Sequence, residues 1–183
     1  LFHFNYWMVR KLACRVCLLA WVAGLVLPAA AAETSATDFI DQAFNVQPQA
    51  KTLWLTADLR AEISRDLNYD FHQMRVRYWQ SGGRSAWILE EVGKEQPITL
   101  GVIIDGDAID ELRVLAYRES RGGEIQQGYF TRQFHGAVLE GEGRKTRLSN
   151  AIDGITGATL SVRAAQKVAK LALFLHAHAQ QHG

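Results

Sequence analysis

The residues best suited to chemistry in this chain stand together as Asp153-Gly154-Ile155-Thr156-Gly157-Ala158-Thr159. Two glycines and an alanine leave the backbone around the Thr159 hydroxyl almost free of bulk. That suits a tight turn or the close approach of a second molecule. An amphipathic pattern follows at once. Val162, Ala165, Val168, Ala169, Ala172 and Leu175 share one face, and Arg163, Gln166, Lys167 and Lys170 share the other. The spacing predicts a helix over 160–179 and puts Thr159 just before its N-terminus. Unpaired N–H groups and the positive end of the macrodipole stabilise a phosphate there without any lysine.

Other clusters carry less chemistry. Asp105, Asp107 and Asp110 lack calcium-loop spacing, and Asp105-Gly106-Asp107 between two alternating stretches reads as a hairpin turn. His178 and His182 have the i,i+4 spacing of a metal pair but sit at the chain end, where cations suit the helix dipole; no metal is assigned to them. No Gly-x-Ser-x-Gly elbow is present, so a hydrolase has no support. Cys14 and Cys17 are spaced C-x-x-C, but they lie inside a segment expected to be removed.

That segment reads as a targeting signal, with a basic start at Arg10-Lys11, an apolar run from Cys17 to Leu27, and Ala30-Ala31-Ala32 as a cleavage site. Residues 1–32 are therefore expected to be a signal peptide, with 1–7 a possible upstream extension and Glu33 the mature N-terminus. The alternative is an uncleaved anchor at the outer face of the inner membrane. The 20 basic and 19 acidic residues of the chain become a balance of −2 once Arg10, Lys11 and Arg15 leave. No basic face dominates, which argues against a nucleic-acid partner. Residues 33–183 are enough for one domain.

The elements that must position the 153–159 loop are legible in outline. Residues 33–37 read as a loose leader, 38–44 as a short helix, and 45–50 as a polar break. Thr56 is placed to cap a helix through Leu67, with Leu59, Ile63 and Leu67 on its buried face. Strict alternation at 74–78, the turn Ser81-Gly82-Gly83-Arg84, and runs at 86–89, 98–104 and 109–117 predict four strands. A polar loop follows at 119–127. Residues 129–134 form a helix or extended piece with Phe130 and Phe134 on one side, and 136–150 has no assignment. The expected fold is α+β: a twisted antiparallel sheet flanked by the helices near 56–67 and 160–179.

The 153–159 run resembles the flavinylation motif of the FMN-binding domain family, in which Asp-x-x-Ser/Thr-Gly-Ala-Ser/Thr precedes a helix and the last hydroxyl carries FMN through a phosphoester. Glu119-Ser120-Arg121-Gly122-Gly123-Glu124 is similar to the family's Glu-Thr-Pro-Gly-Leu-Gly loop, matching at Glu119 and Gly122, with Ser120 for Thr. It departs at Arg121, Gly123 and Glu124, which points away from the sodium-pumping quinone reductase branch. Phe130-Thr131-Arg132-Gln133-Phe134-His135-Gly136 looks like Phe-x-x-Gln-Phe-x-Gly.

The resemblance implies FMN attached to Thr159, with Asp153 orienting or deprotonating its hydroxyl and Gly154, Thr156, Gly157, Ala158 and Leu160 around the phosphate. It places Glu119, Ser120, Arg121, Gly122 and Gly123 along the flavin ring, with Phe134 in core or stacking contact. Glycines at 122 and 123 let backbone N–H groups approach the ring, and Arg121 could stabilise its reduced anion. Both loops are expected to meet at one end of the sheet. The implied partners are a FAD:protein FMN transferase, which takes FMN from FAD, and a membrane redox donor or acceptor. The implied role is periplasmic electron transfer. A covalent tether suits a compartment where free cofactor is too dilute to fill a reversible site. A flavin-dependent reductase acting on a small substrate and a redox-sensing module are the alternatives.

Overall fold

A computed structural model describes residues 35–182. The predicted signal segment, both cysteines and Glu33 lie outside the described residues. Within them, the chain builds one antiparallel meander with helices on both faces. The sheet holds β1 (Gln49–Trp54), β2 (Arg75–Ser81), β3 (Arg84–Val92), β4 (Pro97–Asp105) and β5 (Ala108–Ala116), in that spatial order. All neighbours are antiparallel.

Four of these strands are those expected from the sequence. The fifth, β1, falls across the end of the predicted polar break. It is an edge strand in which only Lys51 and Leu53 are half-buried. A strand with so little to bury shows no apolar period, so pairing with β2 defines it where composition does not.

The predicted cap holds. Thr56 Oγ1 accepts the Leu59 N–H at 3.2 Å and opens α2 (Ala57–Leu67), whose Leu59, Ile63 and Leu67 are buried. The leader at 33–37 is shorter than expected. Ser35 Oγ accepts the N–H groups of Thr37 and Asp38 at 3.1 and 3.2 Å, so α1 (Ala36–Ala43) begins two residues early.

Period-two alternation sends the sheet's side chains to two separate cores. On one face Val76, Tyr78, Trp87, Leu89, Leu100, Val102 and Ile104 pack with α2 and with α4 (Thr159–His182). Tyr78 and Trp87, paired across β2 and β3, stack with ring centroids 4.5 Å apart. On the other face α1 lays Phe39, Ile40 and Ala43 over Ala86, Ile103 and Leu115.

The larger core encloses one polar chain. Trp87 Nε1–H donates to Ser85 Oγ at 2.7 Å, and that hydroxyl lies 2.7 Å from His176 Nδ1. Since the Ser85 oxygen already accepts from Trp87, its hydrogen is available to the imidazole, which stays neutral. Burial holds the His176 pKa below its usual value, against the opposing pull of the Gly106 backbone and Asp107.

The segment between β5 and α4 is irregular but tied down. A 3-10 turn at Gly123–Gln126 leads into α3 (Gly128–Thr131) and a second 3-10 turn at Arg132–Phe134. Phe130 and Phe134 are buried and meet edge to face at 5.5 Å. The unassigned stretch at 136–150 contains a two-stranded ribbon, β6 (Leu139–Glu140) with β7 (Arg147–Leu148). Among the described residues, no helix is long and apolar enough to cross a membrane.

Candidate functional site

The first turn of α4 carries the hydroxyl singled out above. The first bond inside the helix runs from Val162 N–H to Ala158 C=O at 3.0 Å. Ala158 is thus the N-cap and Thr159 the first helical residue, one position further in than the sequence pattern predicts. An alanine cap has no side-chain acceptor. The N–H groups of Thr159, Leu160 and Ser161 therefore have no acceptor within the helix. Thr159 is exposed. The turn before it is closed by Ala158 N–H donating to Ile155 C=O at 3.0 Å.

The loop after β5 comes to the same place. Residues 119–121, Lys94 and residues 157–161 line one cleft of about 550 Å³. Two contacts weld it. The Tyr117 hydroxyl donates to the Arg121 carbonyl and lies 3.1 Å from Ser161 Oγ. Burial raises the Tyr117 pKa, so the phenol remains a neutral donor. Gly122, at φ +86°, packs directly on the cap of α4. A Cβ there would stand 2.8 Å from the Tyr117 hydroxyl, 3.0 Å from Ala158 Cβ and 3.2 Å from Ser161 Oγ.

The structure thus brings Ser120, Arg121, Gly157, Ala158, Thr159 and Leu160 together with Glu119. It gives several of them different work from that expected. Gly122 and Ala158, the latter 4% exposed, join the two loops through their small size. Glu119 turns its Oε1 to the backbone N–H groups of Lys94, Glu95 and Gln96, at 2.5, 2.7 and 3.0 Å. Those amides lower its pKa and keep it ionised. Gly123 opens the 3-10 turn, beside the Gln126 side chain. Phe134 belongs to the core with Phe130 and does not line the cleft.

Asp153, Gly154 and Thr156 are exposed and do not line the cleft either. The Asp153 N–H donates to Gln133 Oε1 at 2.7 Å, and Asn150 Nδ2 donates to the Gln133 carbonyl at 2.8 Å. Gln133 is therefore the clamp that holds the start of the 150–158 loop, flanked by two phenylalanines that anchor it in the core. Lys94 and Ser161 are the lining residues that sequence reasoning missed. Lys94 lies on a turn 25 residues before Glu119 in the loop it faces, and a lone surface lysine gives no signal of its own.

Volume does not single out this cleft. Hollows of about 560 Å³ beside α1 and about 610 Å³ beside Phe71 are as large. What distinguishes it is donor chemistry. It combines an uncapped helix N-terminus, an exposed hydroxyl on the first turn, and the cations Lys94 and Arg121. Leu160, 45% exposed, adds apolar surface. This set suits a flavin nucleotide, and the volume lies within the roughly 300–1,000 Å³ of ligand sites.

The class so defined is a small α+β domain whose cleft exposes an uncapped helix end and a threonine hydroxyl. Residues 93–173 match the family model of the FMN-binding domain, and this part of the chain belongs to that family. The matched segment begins at the β3–β4 turn and contains both cleft loops, the Gln133 clamp and most of α4. FMN is the cofactor such a domain takes, and flavin-based redox or electron transfer is the role that goes with it. No curated protein matches the chain.

Proposed function

We propose that the protein is an exported electron carrier holding FMN covalently through a phosphoester to Thr159. One observation carries the reading: the exposed Thr159 hydroxyl stands on the uncapped first turn of α4, in the cleft to which the 119–121 loop contributes. The bound ring supplies reversible uptake and release of electrons. The chain's own residues do the rest. Helix N–H groups and the dipole hold the phosphate, Arg121 favours negative charge on the ring, and the Gly122–Ala158 contact keeps the two loops together.

Attachment is the work of a partner, a FAD:protein FMN transferase. The Thr159 Oγ–P bond forms on the flavin-side phosphorus of FAD as the pyrophosphate P–O bond breaks. AMP leaves, and the hydroxyl proton passes to a base. Asp153, exposed at the start of the same loop, is the chain's own candidate for that base. The electron partner is a membrane redox protein. Export rests on the signal-like sequence at 8–32.

Co-expression with such a transferase in the export compartment tests the reading. The protein should gain the mass of FMN less one water. Thr159→Ala should abolish the gain, and Thr156→Ala should at most slow it. A flavin mapped to Thr156 or Ser161 would refute the assignment.

A further inference from the structure

The β3–β4 turn and the loop after β5 are held to one another by a single carboxylate. Three successive amides, those of Lys94, Glu95 and Gln96, converge on Glu119 Oε1. The turn is closed by Gly93 N–H donating to the Gln96 carbonyl at 3.2 Å. Gly93 also makes room for the acceptor. A Cβ there would stand 2.9 Å from Glu119 Oε1 and 2.8 Å from Ile98 Cδ1. So two residues 26 positions apart in sequence are both committed to one contact.

That contact lies beside the flavin cleft, because Lys94 lines it together with Glu119, Ser120 and Arg121. The Lys94 ammonium is 3.1 Å from Glu95, but both side chains are well exposed. Such a pair is weak, and the ammonium can exchange it for a better anion. On the flavin reading the α4 terminus serves the phosphate, which leaves the cleft's cations for the ring. The Glu119 carboxylate cannot help a ring that gains negative charge on reduction. Its oxygen is instead engaged by amide dipoles that offset its charge.

We propose that Glu119 is a positioning residue for the flavin cleft: by collecting the amides of 94–96 it fastens the turn and stands Lys94 where its ammonium faces the ring of bound FMN. The inference rests on the flavin reading of the cleft. It gives opposite signs to two explanations of the same glutamate. A carboxylate acting directly on the ring disfavours reduction, so neutralising it raises the midpoint potential. A carboxylate acting through Lys94 favours reduction, so neutralising it lowers the potential.

The experiment uses the full chain loaded with FMN by transferase co-expression. It reads amide hydrogen exchange at 94–96 and the flavin midpoint potential. Glu119→Gln should speed exchange at all three amides, in loaded and unloaded protein alike, and lower the potential. Lys94→Gln should lower the potential and leave exchange slow. Adding Glu119→Gln to Lys94→Gln should lower it no further. Gly93→Ala, which pushes Oε1 aside, should reproduce Glu119→Gln. A raised potential in Glu119→Gln overturns the proposal, as does an unchanged potential in Lys94→Gln or slow exchange that survives Glu119→Gln. Wild-type protein that fails to load refutes the flavin reading itself, whereas loaded protein indifferent to Lys94 refutes this inference alone.

Discussion

Replacing Gly122 with alanine tests whether the two cleft loops are one packed unit. Two costs combine. The residue sits at φ +86°, and holding a residue with a Cβ in the left-handed region costs roughly 1–2 kcal/mol. The new methyl would also meet Tyr117, Ala158 and Ser161 at 2.8, 3.0 and 3.2 Å. Ala158 and Ser161 are buried at the start of α4, where shifting a neighbour costs about 1–3 kcal/mol. The expected loss is about 2–5 kcal/mol. Gly157 supplies the control. Its φ is +83°, but a Cβ there meets nothing within 4 Å, so Gly157→Ala should lose only the backbone share. Urea unfolding of both variants at a common m-value gives the difference directly. Adding Ala158→Gly to Gly122→Ala should recover part of the loss, because the two sites touch. Equal losses at Gly122 and Gly157, with no recovery in the double variant, would show that backbone strain is the whole effect and that the loops are not packed together.

Arg121→Ala should lower the flavin midpoint potential yet leave loading intact, and redox titration of loaded protein checks it; normal potential would make Arg121 a surface residue. Phe134→Ala should cost about 3–5 kcal/mol by denaturant unfolding, as for a large buried aromatic, and leave the flavin spectrum of any folded fraction unchanged. His176 adds a pH dependence. Its folded pKa is held down by burial, so below about pH 6.5 the unfolded chain binds a proton that the native chain refuses. Stability should fall with acidification by up to about 1.4 kcal/mol per pH unit from this group. His178, lowered by burial and by His182, acts in the same direction. The measurement is therefore the difference in thermal unfolding between parent and His176→Gln from pH 8 to 5, with the variant showing the flatter profile.

Local chemistry was readable where it is local. The Asp105-Gly106 hairpin, the Thr56 cap and the apolar faces of α2 and α4 each depend on residues within a few positions, and the structure has all of them. Strand β1 was not readable, because an edge strand with one half-buried leucine carries no alternation. Within the cleft, the glycine-rich turn announces Thr159, whereas the duties of its neighbours depend on contacts across the fold. Glu119 reads as a loop carboxylate until the turn 23–25 residues earlier supplies its donors. Gln133 reads as a polar residue between phenylalanines until Asp153 and Asn150 reach it. Gly122 and Ala158 read as room for a ligand and are in fact room for each other.

The placement of α4 after every strand in chain order bears on how the protein is made. The sheet's larger apolar face is closed by this helix, and its ties are distant ones: His176 to Ser85 over 91 residues and Gln180 to Gln80 over 100. Until α4 has left the ribosome, Trp87, Leu100 and Val102 lack the cover of that helix. Contacts of such separation form slowly. A nascent chain would thus expose a wide β-surface until α4 emerges, and that surface is open to aggregation meanwhile. The same delay sets an order of events, because Thr159, the proposed acceptor, begins the very helix that closes the sheet's larger face. On the proposed reading, a transferase that recognises the folded cleft would act only once α4 has docked, so flavin attachment would also report that this face of the sheet is closed.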